Sequence, residues 1–510
     1  MQHDPEHRRG NRRRNIAAPP GRVTAYRRLH HPYTPQTAFS DDRIAALHDT
    51  ALRVLQELGI RVLLPEARDI LRRAGARVED EMVFIGRDLV AAALATAPRA
   101  IRLCAANPLR EQDYADDTLL FGPGAGCPNV TDRLRGRRPG SLDSYVETLK
   151  LHQSFDVIHL LGPSAEPQDV PTHLRHYAMM QAQMEFADKP MFVNARGRAQ
   201  VEQSFEMIRL GLDLSDDDFA AGSWAYTVIN TNSPRLIDAP MAQGLIDFAR
   251  HGQMAIVTPF CLAGAMAPVT VAGALVLQHA EALAAITLTQ MTRPGAPVSY
   301  GGFSSNVDMK SGAPAFGTPT HVQMQIGSGQ LARHIGLPWR SAAGSASNDA
   351  DMQAAGENMM GLWGGLMANA TLIIHAAGWL EGGLTFGYEK FINDIEALQM
   401  IAELCTRPEA DEAALAFDAL AEIAPSGHFF AAAHTMARYS TAFYEPLVAD
   451  LQNFGNWTAA GAQNSTERAS AIWQRVLAEF VAPPSCAGVV EKLGDYIARG
   501  TAAGGAPVLD

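Results

Sequence analysis

The residues able to do chemistry in this chain gather in short stretches that each follow an apolar run. One reads Tyr300-Gly301-Gly302-Phe303-Ser304-Ser305-Asn306-Val307-Asp308-Met309-Lys310, placing an aromatic ring, two glycines, hydroxyls and a carboxylate close together. A second reads Gly344-Ser345-Ala346-Ser347-Asn348-Asp349-Ala350-Asp351, with Glu357 one to two helical turns further on. A third reads His375-Ala376-Ala377-Gly378-Trp379-Leu380-Glu381. Clustered glycine, tryptophan and glutamate describe a pocket with an aromatic face and a carboxylate. That pair suits a cation, through the ring quadrupole and charge compensation. Tyr300, Trp379 and Glu381 are therefore the candidate cation holders, and Glu381 is also a candidate catalytic residue. Gly301 and Gly302 would allow close approach of a ligand. His375 is a candidate polar or catalytic contact, the alternative being a satisfied core residue.

Two further stretches are less specific. Asn230-Thr231-Asn232-Ser233-Pro234 offers neutral hydrogen-bonding side chains, with Asn232 a candidate ligand contact, or else a set of loop caps. Gly122-Pro123-Gly124-Ala125-Gly126 lacks the spacing and the following Lys-Ser/Thr of a phosphate cradle. Its glycines, Gly124 among them, fit backbone approach to a flat or bulky ligand better. Glu281 lies on an otherwise apolar stretch and needs a partner if buried; a structural ion pair is the default expectation.

The elements that must position these residues follow a rhythm. Apolar runs fall at 119–122, 157–162, 191–194, 224–230, 255–259, 298–302, 341–344 and 371–376. Most end in Gly, Asn, Pro or Ser. Helices are predicted over 143–153, 172–186, 199–212, 241–251, 271–291, 318–335, 351–369 and 388–405. Eight such units predict an α/β fold, a closed (β/α)₈ TIM barrel over 118–405, with chemistry at the C-terminal ends of its strands. Residues 1–39 read as a disordered basic arm carrying Arg8, Arg9, Arg12, Arg13 and Arg14. Residues 40–117 read as an N-terminal helical region and 406–510 as a C-terminal helical region without strands.

Bulk composition narrows the function. The chain has 510 residues, of which 47% are hydrophobic and 19% charged, with a formal net charge of −12. A barrel takes about 250 residues, so roughly half the chain is elaboration. The acidic balance argues against general nucleic-acid binding and is compatible with a cationic substrate. Five scattered cysteines without a CxxC pair fit a reducing cytoplasm and neither a disulfide framework nor a zinc site. No unbroken 18-residue apolar run predicts a membrane span; 269–288 comes nearest, interrupted by His279 and Glu281. The basic N-terminus lacks the apolar run of a secretory signal. Several chemistries fall away. A Schiff-base aldolase needs a strand-end lysine, and only Lys310 comes near. HExxH and GxSxG are absent, and no metal-ligand spacing is found. Asp308, Asp349 and Glu381 leave a two-carboxylate glycosidase open without supporting it.

Several ordered segments resemble the trimethylamine methyltransferase family. They are Pro259-Phe260-Cys261-Leu262-Ala263-Gly264-Ala265-Met266-Ala267-Pro268-Val269-Thr270, then Pro294-Gly295-Ala296-Pro297, and the Asp-Met-Lys-Ser-Gly run from Asp308. Gln330-Leu331-Ala332-Arg333 before Gly336-Leu337-Pro338, Asp351-Met352-Gln353-Ala354-Ala355-Gly356-Glu357 and Trp473 also match. The resemblance implies a (β/α)₈ barrel that moves a methyl group from an amine to the cobalt of a corrinoid on a separate protein. On that basis the chain binds no cofactor tightly: a partner corrinoid protein supplies cob(I)alamin and carries away methylcob(III)alamin. A homo-oligomer is also expected. Founding members carry pyrrolysine at a position that falls near Gly344, where this chain has no unusual residue. Ser345 and Asn348 stand in that distinctive loop and are candidate substrate contacts. The resemblance therefore argues against trimethylamine itself and for a quaternary (or tertiary) methylamine such as a betaine, glycine betaine being the example. The corrinoid would approach over Gly124, Gly301, Gly302 and Gly344, and Arg340 or Asn232 would hold a substrate carboxylate. Two alternatives remain: a non-corrinoid acceptor such as tetrahydrofolate, and a non-catalytic binder of methylated amines.

Overall fold

Strands buried on both faces are predominantly apolar, and seven parallel strands are buried along almost their whole length, with Ser299, Arg340 and Ser341 among the polar exceptions. The computed structural model describes residues 28–509; the arginines expected to form the basic arm lie outside them. The central sheet has eight strands: β1 (Leu29–His30), β2 (Thr118–Phe121), β3 (Met191–Phe192), β4 (Ala225–Ile229), β5 (Met254–Val257), β6 (Val298–Gly301), β7 (Trp339–Ala342) and β8 (Leu372–Ile374). Their order is β1-β2-β8-β7-β6-β5-β4-β3. All neighbours are parallel except β1, which runs antiparallel to β2 with Leu29 opposite Leu119. Residues 29–30, read from sequence as part of the unstructured arm, are thus paired into the sheet.

The run at 157–162 forms no strand, a departure from the predicted eight. It nevertheless lies between the two ends of the parallel set. His159 N donates to Phe121 O and Leu161 N to Pro190 O. The imidazole explains the interruption: His159 Nδ1 accepts from Phe121 N at 3.0 Å, taking a donor that a neighbouring strand would have used.

Helices follow the strands as predicted: α2 (Leu142–Ser154), α3 (Arg175–Phe186), α4 (Arg198–Gly211), α5 (Ala239–His251), α6 (Val271–Thr292), α7 (Pro319–Ile335), α8 (Met352–Met367) and α9 (Tyr388–Leu404). Each end falls within three residues of the expectation. The signals are local. Ser141 and Ser144 form a capping box, and Thr270, Thr318 and Asp351 each accept from the third helical amide. Gly252 and Gly336 close α5 and α7 in the left-handed conformation. Helix α6 is long and apolar enough to cross a membrane, but it is packed by α1 (Asp41–Arg53), α5, α7 and the helix Arg87–Thr96.

The region 40–117 is not purely helical, as the sequence suggested. Ile60–Val62, Arg77–Glu79 and Met82–Phe84 join Leu236–Ile237 in a small sheet. Ile101–Leu103 pairs with Gln112–Tyr114. This second hairpin enters the curled sheet at the N-terminal end of β4, where Leu103 bridges Ser223. Ile101, Leu103 and Tyr114 meet Leu120, Leu160, Phe192, Tyr226, Met254, Ile256, Leu372 and Ile374 in a separate inner core. Charged side chains at the strand C-termini must therefore sit above a sealed apolar floor.

Changing His159 to Leu would leave the buried Phe121 amide without its acceptor. The expected loss is about 1–3 kcal/mol, read as a lower urea midpoint with an unchanged slope.

Candidate functional site

Inward and outward positions alternate along each strand, and this alternation decides which candidates meet. On β7 Trp339 and Ser341 face α7, so Arg340 points into the curl. On β4 Tyr226 points inward, and on β8 Ile374 does. Above them opens a cavity of about 670 Å³ at the strands' C-terminal ends. Phe192, Tyr226, Phe260, Phe303 and Trp379 put five aromatic rings on its wall. Arg340 and His375 line its buried floor; Gly126, Arg196 and Asn232 are exposed at its mouth. The lining includes no aspartate or glutamate.

Arg340 is the unusual group. It is 2% exposed and makes no ion pair with a carboxylate among the described residues. Its Nη2 lies 3.2 Å from His375 Nε2, its Cζ lies 5.2 Å from the Phe303 ring centre, and its Nε and Nη1 have no protein partner. Burial lowers its pKa to about 10, with Tyr114 and Tyr226 acting in the opposite direction. His375 occupies positive φ at 58°. Its ring stacks on Trp379, with centres 4.5 Å apart. Both ring nitrogens face N–H donors, Ala125 N at 3.3 Å from Nδ1 and Arg340 Nη2 at Nε2. A neutral imidazole has one lone pair for these two donors and an imidazolium has none. Burial and then the Arg340 charge hold its pKa well below the usual histidine value. His375 is thus a neutral acceptor.

The other sequence candidates scatter. Asn232 reaches the cavity mouth, where its amide also bonds Asp238 Oδ2 at 3.0 Å. Tyr300 faces outward, with its hydroxyl 3.2 Å from Gln278 Nε2 and from His279 Nδ1, and does not line the cavity. Glu381 does not line it either. Its carboxylate is clasped by Arg137, whose Nε lies 2.9 Å from Oε1 and whose Nη2 lies 3.0 Å from Oε2. Ser345 donates to Glu357 Oε2 at 2.6 Å inside its loop, and Asn348 is exposed away from the cavity. Gly124, Gly301, Gly302 and Gly344 are packed rather than open. A Cβ at Gly301 would stand 2.4 Å from Val257 O, and one at Gly344 2.3 Å from the Trp379 ring. Gly126, Gly162, Gly382 and Gly383 line the cavity instead. Sequence reading passed over Phe192, Tyr226, Phe260 and Phe303, although strand alternation would have turned Tyr226 inward.

Glu281 organises one wall. Its Oε2 accepts from Thr231 Oγ1 at 2.5 Å and Ser233 Oγ at 2.7 Å, and its Oε1 accepts from Arg235 N at 2.7 Å. Thr231 and Ser233 line the cavity. The expected ion pair is replaced by hydroxyls and a backbone amide. Burial pushes the Glu281 pKa up, against the pull of these hydrogen bonds. Among the described residues, no three His, Cys, Asp or Glu side chains are grouped to share a metal ion.

The model of one family, trimethylamine methyltransferase (MTTB), matches residues 6–505. A glycine betaine methyltransferase of Desulfitobacterium hafniense (strain Y51) is 33% identical over 462 residues, covering 90% of this chain and 96% of that one. A trimethylamine methyltransferase MttB of the same species (strain DSM 10664 / DCB-2) is 29% identical, covering 84% and 87%. A proline betaine:corrinoid methyltransferase of Eubacterium limosum is 28% identical, covering 76% and 81%.

Removing the Glu281 carboxylate with Ala would take the acceptor from the buried Thr231 hydroxyl and from the half-buried Ser233 hydroxyl and Arg235 amide. It should lower the thermal midpoint by several degrees and weaken ligand binding. Glu281→Gln, which keeps one acceptor, should lose clearly less in both calorimetric measurements.

Proposed function

Because this chain belongs to the trimethylamine methyltransferase family, we propose that it transfers a methyl group from a carboxylated quaternary amine, a betaine, to a corrinoid carried on a separate protein. The fold finer than the curled sheet is part of the same reading: a (β/α)₈ barrel closed through 157–161.

One observation carries the substrate class. A buried guanidinium with two unpartnered nitrogens lies beneath a wall of aromatic rings that holds no carboxylate. A lone cation such as tetramethylammonium would meet the rings but also the Arg340 charge. A zwitterion satisfies both ends, with its carboxylate on Arg340 Nε and Nη1 and its methyl groups against the ring faces. This revises the sequence expectation of a cation compensated by Glu381, whose charge is already taken by Arg137.

The same residues suit the chemistry. The corrinoid supplies the Co(I) nucleophile. The chain holds the substrate with a methyl carbon toward the mouth and keeps water from the charged nitrogen. The carbon–nitrogen bond breaks with its electron pair left on nitrogen, so no proton moves at that atom. A neutral His375 and a wall without acids match that requirement. Glycines 126, 162, 382 and 383 leave the lining free of side chains where a broad acceptor must come close. The cavity is also larger than one small betaine needs.

Arg340→Gln should weaken betaine binding by about 2–5 kcal/mol and leave tetramethylammonium binding unchanged or tighter. Calorimetric titration of both ligands checks this, and equal losses for both would remove Arg340 from the carboxylate site. Methylation of a Co(I) corrinoid protein, followed by its absorbance change, tests the transfer. Betaine binding without turnover would point instead to another acceptor or to a binding protein. Because the His375 pKa is depressed, its ring stays neutral through the range where a free histidine charges. Betaine affinity should therefore be flat between about pH 8 and pH 5.5, as measured by the same titration.

A further inference from the structure

Three buried polar side chains outside the cavity converge on the segment that carries His375 and Trp379. Asn358 on α8 bridges two loops: its Oδ1 accepts from Gly344 N at 2.9 Å and its Nδ2 donates to Ala376 O at 3.0 Å. Asp394 on α9 accepts from Gly378 N at 2.8 Å through Oδ2 and from the Asn358 side chain. Lys390, one turn earlier on α9, donates to Asp394 Oδ1. None of the three lines the cavity above Arg340. Helix stability does not account for the charged pair. A lysine in the first turn, four residues before an aspartate, runs against the helix dipole. The two side chains are only 2% and 4% exposed, and an apolar pair of that volume is often as stable or more so. A carboxylate offers what an apolar residue lacks, acceptors for donors from two other elements. Burial raises the Asp394 pKa against the pull of Lys390, so without the lysine the group would take up a proton and lose acceptors.

We propose that Asn358 and Asp394, with Lys390 balancing the carboxylate, are positioning residues that fix the His375–Trp379 ring pair. A histidine at positive φ persists only where its surroundings over-determine it, and the segment is held along both edges. On one edge His375 N donates to Pro123 O, Ala376 N to Gly122 O, and Ala377 O accepts from Gly124 N. Asn358 and Asp394 hold the other, through Ala376 O and Gly378 N. By tying Gly344 N to the same amide, Asn358 also sets the glycine against which the Trp379 ring lies. The consequence reaches the floor through two contacts: Trp379 stacks on His375, and His375 Nε2 receives Arg340 Nη2. A guanidinium with two open nitrogens binds a carboxylate well only if its direction is set beforehand. What the cavity binds rests on the betaine reading above; what holds the ring pair does not.

The test uses the full chain with isotope-labelled histidine. The His375 ring protons, identified as the signals lost in His375→Gln, should lie upfield of a free histidine because the Trp379 ring faces them. In Asn358→Leu and Lys390→Met these signals should move toward the free value. Betaine titrated calorimetrically, well below each variant's thermal midpoint, should bind about 10–100-fold more weakly. Asn358→Asp keeps an acceptor for Gly344 N and loses the donor to Ala376 O; it should move the signals part of the way and serves where the leucine variant does not fold. Gln325→Leu is the comparator. Gln325 is a buried amide whose Nε2 bonds Ser341 Oγ, Ala342 O and Gly361 O between β7 and α8, so its loss should lower the midpoint and leave both readouts as in the wild type. Unchanged ring signals in folded Asn358 and Lys390 variants, or an equal displacement in Gln325→Leu, would overturn the proposal. The ring signals are read without ligand, so displaced signals in a protein that binds no betaine would uphold the positioning role and remove the proposed substrate alone.

Discussion

A positive charge enclosed in protein without a negative partner is the constraint on which the rest of this site depends. Moving an ion out of water costs several kcal/mol even after relaxation. Arg340 is held by what little the floor offers: the lone pair of His375, the face of Phe303, and the oxygens of Tyr114 and Tyr226 nearby. Each of these places a demand further out. His375 must remain neutral, and its ring is fixed by Trp379. Trp379 in turn lies where no side chain at position 344 could stand, and Gly344 adopts φ of 104° there. The hairpin carrying Tyr114 must plug the bottom of the sheet for that hydroxyl to lie under the charge.

A wall without carboxylates also bears on what happens after transfer in the proposed reaction. The ring faces attract a fixed positive charge. Once the nitrogen has lost a methyl it is neutral, and no acid in the lining can restore its charge. The attraction that held the substrate end then disappears while the carboxylate contact remains. Binding and release are thereby separated within one small molecule.

Local signals were readable in the sequence, and tertiary ones were not. Helix ends were legible because Ser141, Thr270, Thr318 and Asp351 cap their own helices and Gly252 and Gly336 end theirs. Seven apolar runs were legible as strands. The eighth failed because His159 intercepts an amide on a strand 38 residues earlier. Trp379, His375 and Asn232 line the cavity, but Glu381 reads differently once Arg137, 244 residues away, is seen against it. Tyr300 was a failure of parity. It stands beside two inward positions, Ser299 and Gly301, and points the other way. Arg340 follows the same alternation onto the inner face, so its place inside the curl was available from the strand pattern. Its lack of a partner was not, because that depends on every neighbour at once.

Helix α6 has a consequence for how the chain is made. In isolation it has the length and apolarity of a membrane span, and it carries Gln278, His279 and Glu281 fully buried within it. Most of what covers it comes earlier in the chain: α1, the helices Pro65–Arg73 and Arg87–Thr96, and α5. Synthesis proceeds from the N-terminus, and early segments can collapse before later ones exist. This long apolar helix therefore leaves the ribosome after most of the segments that cover it have been made, so its apolar surface can be covered as it emerges.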